Sequence, residues 1–220
     1  MLVTCIGLPG SGKSYFVRAL VTVLPQVFER VVLTGRFDRF FWFMVGVFLL
    51  PSVAFLFLQA ILQQPIRLWP YLFHLWTVSL AEEAKGAFLT RRFPKRLYVI
   101  DEGILQRTFS FADGALFPSL WSRALSVSWP HAVLVFSGGD FGRFEAAPDA
   151  ATSPRVKTGE RAYRAWKEAF QHAFASAQRA LPQTGKAIPL NIRNVPDLRE
   201  EIARVQAALE RLRPGKNVSR

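Results

Sequence analysis

The sequence is poor in the residues that build metal and disulfide frameworks. It has one cysteine, Cys5, and three histidines, His74, His131 and His172, set far apart. A lone cysteine excludes an internal disulfide, and isolated histidines cannot complete a zinc cluster from this chain alone. Acidic residues are also scarce, 16 Asp and Glu against 28 Lys and Arg, for a net charge of +12. Such a charge favours an anionic partner, yet the basic residues are spread along the whole chain and select no single one. The aromatic residues stand in apolar runs and are not interleaved with basic ones, which argues against a nucleic-acid stacking platform. There is no internal repeat and no low-complexity tract. The longest absence is of charge itself: Phe40 to Leu62 is 23 residues without one.

What is present begins at the first residues. Leu2 to Ile6 is a short apolar, β-rich run, and Tyr15 to Leu24 carries helical spacing without Gly or Pro. Between them lies Gly7-Leu8-Pro9-Gly10-Ser11-Gly12-Lys13-Ser14, which fits the phosphate-loop pattern G-x-x-x-x-G-K-[ST] at every fixed position. Glycine is needed where the backbone N–H groups curl inward on an anion and no Cβ can be accommodated. The pattern assigns Gly7, Pro9, Gly10, Ser11, Gly12, Lys13, Ser14 and Tyr15 to nucleotide binding. Lys13 would meet the β- and γ-phosphates and Ser14 would offer its hydroxyl to Mg²⁺, with the positive end of the following helix behind them. Arg96 to Gly103 is the second informative stretch, an apolar strand that ends in Asp101-Glu102. That form delivers Asp101 to the Mg²⁺ shell opposite Ser14 and leaves Glu102 to take a proton from a hydroxyl or orient a water.

The remaining order of elements predicts α/β architecture. Val27 to Leu33 reads as a second strand, Ala132 to Phe136 as a fourth and Ala187 to Asn191 as a last one. Helices are expected over Tyr71 to Leu89, Leu116 to Val127, Glu160 to Arg179 and the final stripe Leu198, Ile202, Val205, Leu209, Leu212. In the helix after Pro70, Leu72, Leu75, Trp76 and Leu80 form the packing face, and Glu82, Glu83 and Lys85 are assigned to the solvent side. The expectation is a single P-loop NTPase domain over 1–220, a parallel sheet of about five strands with helices on both faces. An apolar helical insertion, 36–93, sits between the second strand and the Asp101 strand; 140–160 is a candidate lid and 214–220 a flexible tail. Residues 40–62 have the length and hydropathy of a membrane span. Two halves of one sheet cannot lie on opposite sides of a bilayer, however, so the segment is either a buried helix or a bent pair, broken at Pro51, that contacts the membrane from one face. Cys5 reads as a small buried hydrophobe, in keeping with a reducing, cytoplasmic compartment or the cytoplasmic face of a membrane.

These motifs resemble P-loop kinases of the thymidylate/adenylate kinase group. More narrowly, the GLPGSGKS and VIDEG segments with Gln106-Arg107 and Ser110 are similar to kinase-like ATP-binding proteins of polysaccharide and glycoconjugate biosynthesis. The resemblance implies ATP and Mg²⁺ as ligands, acceptor binding by the 36–93 region, and lid duty for some of Arg143, Arg155, Arg161 and Arg164. Catalytic roles then fall to Lys13, Asp101, Glu102, Arg143 and Arg155. The chain departs from nucleoside monophosphate kinases in having Asp101-Glu102 and an oily acceptor region, which suits a lipid- or glycan-linked acceptor better. The expected function is a Mg²⁺-ATP-dependent phosphotransferase. The alternative is a membrane-associated ATPase of the phage-assembly kind, in which hydrolysis drives a conformational change.

Overall fold

A computed structural model describes residues 1–126, 131–137, 139, 141–146, 153–191 and 198–213. The centre is β1 (Leu2–Gly7), every residue of which is buried. It pairs in parallel with β3 (Leu97–Ile100) on one side and β4 (His131–Phe136) on the other; β2 (Phe28–Arg30) and β5 (Ala187–Leu190) are the edges, in the order β2-β3-β1-β4-β5. A parallel sheet must be covered on both faces, and alternation along the strands supplies both covers. Leu2, Ile6, Tyr98, Ile100, Val133 and Val135 turn to one side, while Val3, Cys5, Leu97, Val99, Leu134 and Phe136 turn to the other. The second side packs on α1 (Lys13–Val23) and α9 (Leu198–Arg211) through Phe16, Val17, Leu20, Ile202, Val205 and Leu209. Cys5 lies fully inside this layer, and burial pushes its thiol far above the ordinary range.

The first side carries the larger layer. Its helices are α2 (Gly35–Leu49), α3 (Pro51–Leu62), α4 (Trp69–Arg92), α5 (Ile104–Thr108), α6 (Phe117–Leu125) and α8 (Glu160–Ala180); α7 (Phe141–Glu145) is a single short turn. One face of the sheet and the inserted helices share one hydrophobic core. α2 and α3 meet at Leu50 with a bend of 108°, and among the described residues no single helix is long and apolar enough to cross a membrane. Pro51 fits there because the first turn of a helix has no use for its missing N–H.

Three expectations need adjustment. The second strand ends at Arg30, although Val31 still donates to Val99 O at 2.9 Å. Beyond it Lys85 takes Val32 O at 2.8 Å, and Asp38 accepts from the Thr34 backbone N–H at 2.7 Å, which draws the chain off the sheet and into α2. The helix after Pro70 is longer than the spacing predicts, and Glu83 is buried at 2% exposure, not on a solvent face. α4 is enclosed by the sheet, α2, α3 and α5, so a carboxylate there needs an internal partner; Glu83 Oε1 accepts from the Ile104 N–H that opens α5, at 3.1 Å. The stretch from Asp140 to Gly159, expected to be a loop, holds α7 and a 3₁₀ turn at Val156–Thr158. The fourth strand falls on the predicted residues. The last one does too, Pro189 being tolerated because β5 is an edge. Residues 214–220, and 140 and 147–152 of the candidate lid, lie outside the described residues.

Candidate active site

The glycine-rich loop leaves β1 at its carboxyl end, and Gly10 and Gly12 make the turn at φ of 71° and 86°, which L side chains rarely adopt. Gly7 is glycine for want of space, since a Cβ there would lie 2.7 Å from Ser11 Oγ and 2.8 Å from Phe136 Cβ. Its N–H donates to Gln106 Oε1 at 2.8 Å, so α5 braces the base of the loop. Lys13 is 6% exposed, and its ammonium donates to the carbonyls of Gly7 at 3.0 Å and Leu8 at 3.2 Å. Burial holds its pKa below that of a free lysine, with the carboxylates of Glu102 and Asp101 acting in the opposite direction.

Asp101 and Glu102 follow β3 and diverge. Asp101 is buried and its Oδ2 pairs with Arg30 at 2.8 Å, while Oδ1 is buried without a hydrogen-bond partner. Burial raises its pKa, and the Arg30 guanidinium works against that rise. Glu102 is exposed and faces the cleft beside the loop. Gly103, which completes the segment, has no room for a side chain, because a Cβ would come within 2.8 Å of Thr4 Cγ2 and 2.9 Å of Glu83 Oε1.

The cleft measures about 430 Å³. One wall is the loop from Pro9 to Ser14 with Tyr15; the others are Tyr71 and Leu75 of α4, Gln106 and Arg107 of α5, Ser110, Ser153 and Arg155, and Trp166 and Phe170 of α8. Arg107 pairs with Glu82 at 3.0 Å. Arg155 is 4% exposed and heavily tied: it reaches Gln64 Oε1 at 3.3 Å and Asp113 at 3.4 Å, donates to Ser110 O, and lies over the Trp166 ring at 5.4 Å. Burial lowers its pKa, and Asp113 offsets part of that.

The structure therefore gathers Pro9, Gly10, Ser11, Gly12, Lys13, Ser14, Tyr15, Glu102 and Arg155 around one cleft, with Gly7 beneath the loop and Asp101 paired behind it. Arg161 and Arg164 do not join them: they line a shallow surface depression with Glu160 and Glu168, and Arg164 pairs with Glu160 at 2.7 Å. The Arg143 side chain lies outside the described residues. Sequence reasoning missed Arg30 as the partner of Asp101, Gln106 as the brace of Gly7, and Glu83 as the cap of α5. Only Gln106 left a signal, its place three residues after Gly103 in the Asp-Glu-Gly segment. Among the described residues no group of three or more His, Cys, Asp or Glu could hold a metal by itself. A cation here would have to share its shell with a phosphate. Asp101 Oδ1, buried and without a hydrogen-bond partner, is a donor that fits such a shell.

No described protein family matches the chain, and no curated protein does. Among solved structures it is similar to deoxyadenosine kinase from M. mycoides with bound dCTP, at 10% identity, covering 96% of this chain and 100% of that one with a TM-score of 0.43. It is likewise similar to deoxyadenosine kinase from M. mycoides with products dCMP and a flexible dCDP bound, at 11% identity, the same coverage and a TM-score of 0.42. Likeness at that level leaves function to be argued from the site.

Proposed function

We propose that the protein is a Mg²⁺-ATP-dependent phosphotransferase that acts on a hydroxyl-bearing small molecule or a lipid- or glycan-linked acceptor. The observation that carries this reading is the lining of the cleft: the loop from Pro9 to Tyr15 shares it with the carboxylate of Glu102, the guanidinium of Arg155 and the apolar side chains of Leu75, Trp166 and Phe170. Loop N–H groups from Gly10 to Ser14 would hold the β-phosphate, and Lys13 would exchange the Gly7 and Leu8 carbonyls for γ-phosphate oxygens. Ser14 and Asp101 would hold Mg²⁺, which supplies neutralisation of phosphate charge. Glu102 would accept the proton of the acceptor hydroxyl as its oxygen bonds to the γ-phosphorus and the bond to the β,γ-bridging oxygen breaks, releasing ADP. Arg155 would balance charge on the transferring group, held in place by Gln64, Asp113 and Trp166.

The orientation of Glu102 toward the cleft also suits activation of a water, which is the second reading, an ATPase that couples hydrolysis to assembly at a membrane. One experiment separates the two. Purified protein with γ-³²P-ATP is expected to turn over slowly alone and faster with a lipid and glycan extract, transferring label to an extract component. Lys13→Ala is expected to lower transfer by on the order of a hundredfold or more. Substantial turnover without acceptor, growing more than linearly with protein concentration and labelling nothing, would replace the transferase with the assembly ATPase. No nucleotide binding by the folded protein would end both.

A further inference from the structure

The outer face of α2 is unusual for a helix packed on a core. Gly46 is its only buried residue, and it faces the Leu80 backbone of α4. At 3.6 residues per turn, Phe37, Phe40, Phe41, Met44 and Phe48 fall within a stripe roughly 100° wide on the side opposite Gly46. All five are exposed, Phe37 at 82%, Phe48 at 79% and Phe40 at 62%. Arg36 borders the stripe and is exposed. On the other border the rings of Phe41, Trp42 and Phe88 touch in series, with centroids 5.2 Å apart at each step, and lead onto α4. One turn beyond Phe88 stand Arg91 and Arg92, both exposed. The one carboxylate of α2, Asp38, is neutralised by Lys85 at 2.8 Å.

We infer that this face docks on an anionic lipid surface, with α2 lying in the plane of the interface. Apolar side chains in a band, an aromatic series at the border and arginines on both flanks match the layering of acyl chains and acidic head groups. A second copy as occupant is the competing outcome that light scattering without lipid would reveal. α3 takes no part as a membrane insertion: Val53, Ala54, Phe57, Ala60 and Ile61 are committed to the core. The surface is independent of the chemistry proposed for the cleft.

The test is co-sedimentation of the full chain with phosphatidylcholine vesicles and with vesicles containing about one-third phosphatidylglycerol, each lipid arm run beside size-exclusion light scattering without lipid. The wild type is expected to sediment with the acidic vesicles and to release as salt is raised. The triple substitution Phe37→Ser, Phe41→Ser, Phe48→Ser is expected to weaken partition by on the order of a hundredfold. Arg36→Gln and Arg92→Gln are each expected to weaken it about fivefold. Val23→Ser, an exposed apolar site on the other face of the sheet, is the control and is expected to bind as wild type, with thermal unfolding confirming that each variant folds. Equal binding to neutral and acidic vesicles, unchanged binding by the triple variant, or no sedimentation at all overturns the inference. So does a lipid-free dimer that the triple variant dissolves, which would make the stripe an interface between copies.

Discussion

α2 and α3 are consecutive and separated by one residue, and beyond Arg39 α2 is as free of charge as α3, yet the two meet opposite fates. α3 buries a continuous stripe, Val53, Ala54, Phe57, Ala60 and Ile61, against α4 and α6, with Phe57 in edge-on contact with Phe111 at 5.5 Å. α2 turns its bulk outward and seats on α4 through a glycine. The difference shows that hydropathy sets how much apolar surface a segment carries, and small residues set which side of it can come close. Where Gly46 lets backbone meet backbone, the ring-bearing side has nowhere to go but out.

The sharpest test of that contrast is Phe57→Ala, which removes a fully buried ring and is expected to cost about 3–5 kcal/mol, read from the chemical denaturation midpoint at constant slope. A small loss would mean that α3 is as loosely held as the outside of α2. Gly46→Ala comes next. A Cβ there would lie 2.5 Å from the Leu80 carbonyl oxygen. Overpacking at this seam should exceed the helix-propensity gain of alanine and leave a net loss of about 1–2 kcal/mol. A stabilised protein would mean that the two backbones are not in contact. The smallest effect is expected at Phe48→Ser, within about 0.5 kcal/mol in the absence of lipid, because that ring is already in solvent. A large loss would show that the stripe is covered by protein after all.

Much of the local structure around the candidate site was legible in the sequence because its determinants are local. Gly7 to Ser14 carries its own turn chemistry, β1 and α1 flank it within a few residues, and Asp101-Glu102 ends a strand with no intervening loop. The parallel sheet follows from apolar strands that alternate with helices, and α8 and α9 follow from their 3.6-residue stripes. Three features could not be read. The Arg30–Asp101 pair joins residues on neighbouring strands whose register only folding reveals. Glu83 looks like a surface carboxylate beside Glu82 and Lys85, and only the start of α5 above it explains its burial. The fates of 40–49 and 51–62 are indistinguishable by hydropathy, since the glycine that separates them acts through contact with α4 and not through its own character.

Arg30 is the last residue of an edge strand only three residues long, and its guanidinium holds the carboxylate that closes β3. A divalent cation reaching Asp101 would therefore enter a contest, with a tethered cation already on one of the two oxygens. The side free to yield is the short edge strand, because β3 is clamped between β2 and β1. Any ion seeking Asp101 would thus have to displace Arg30 or share the carboxylate with it.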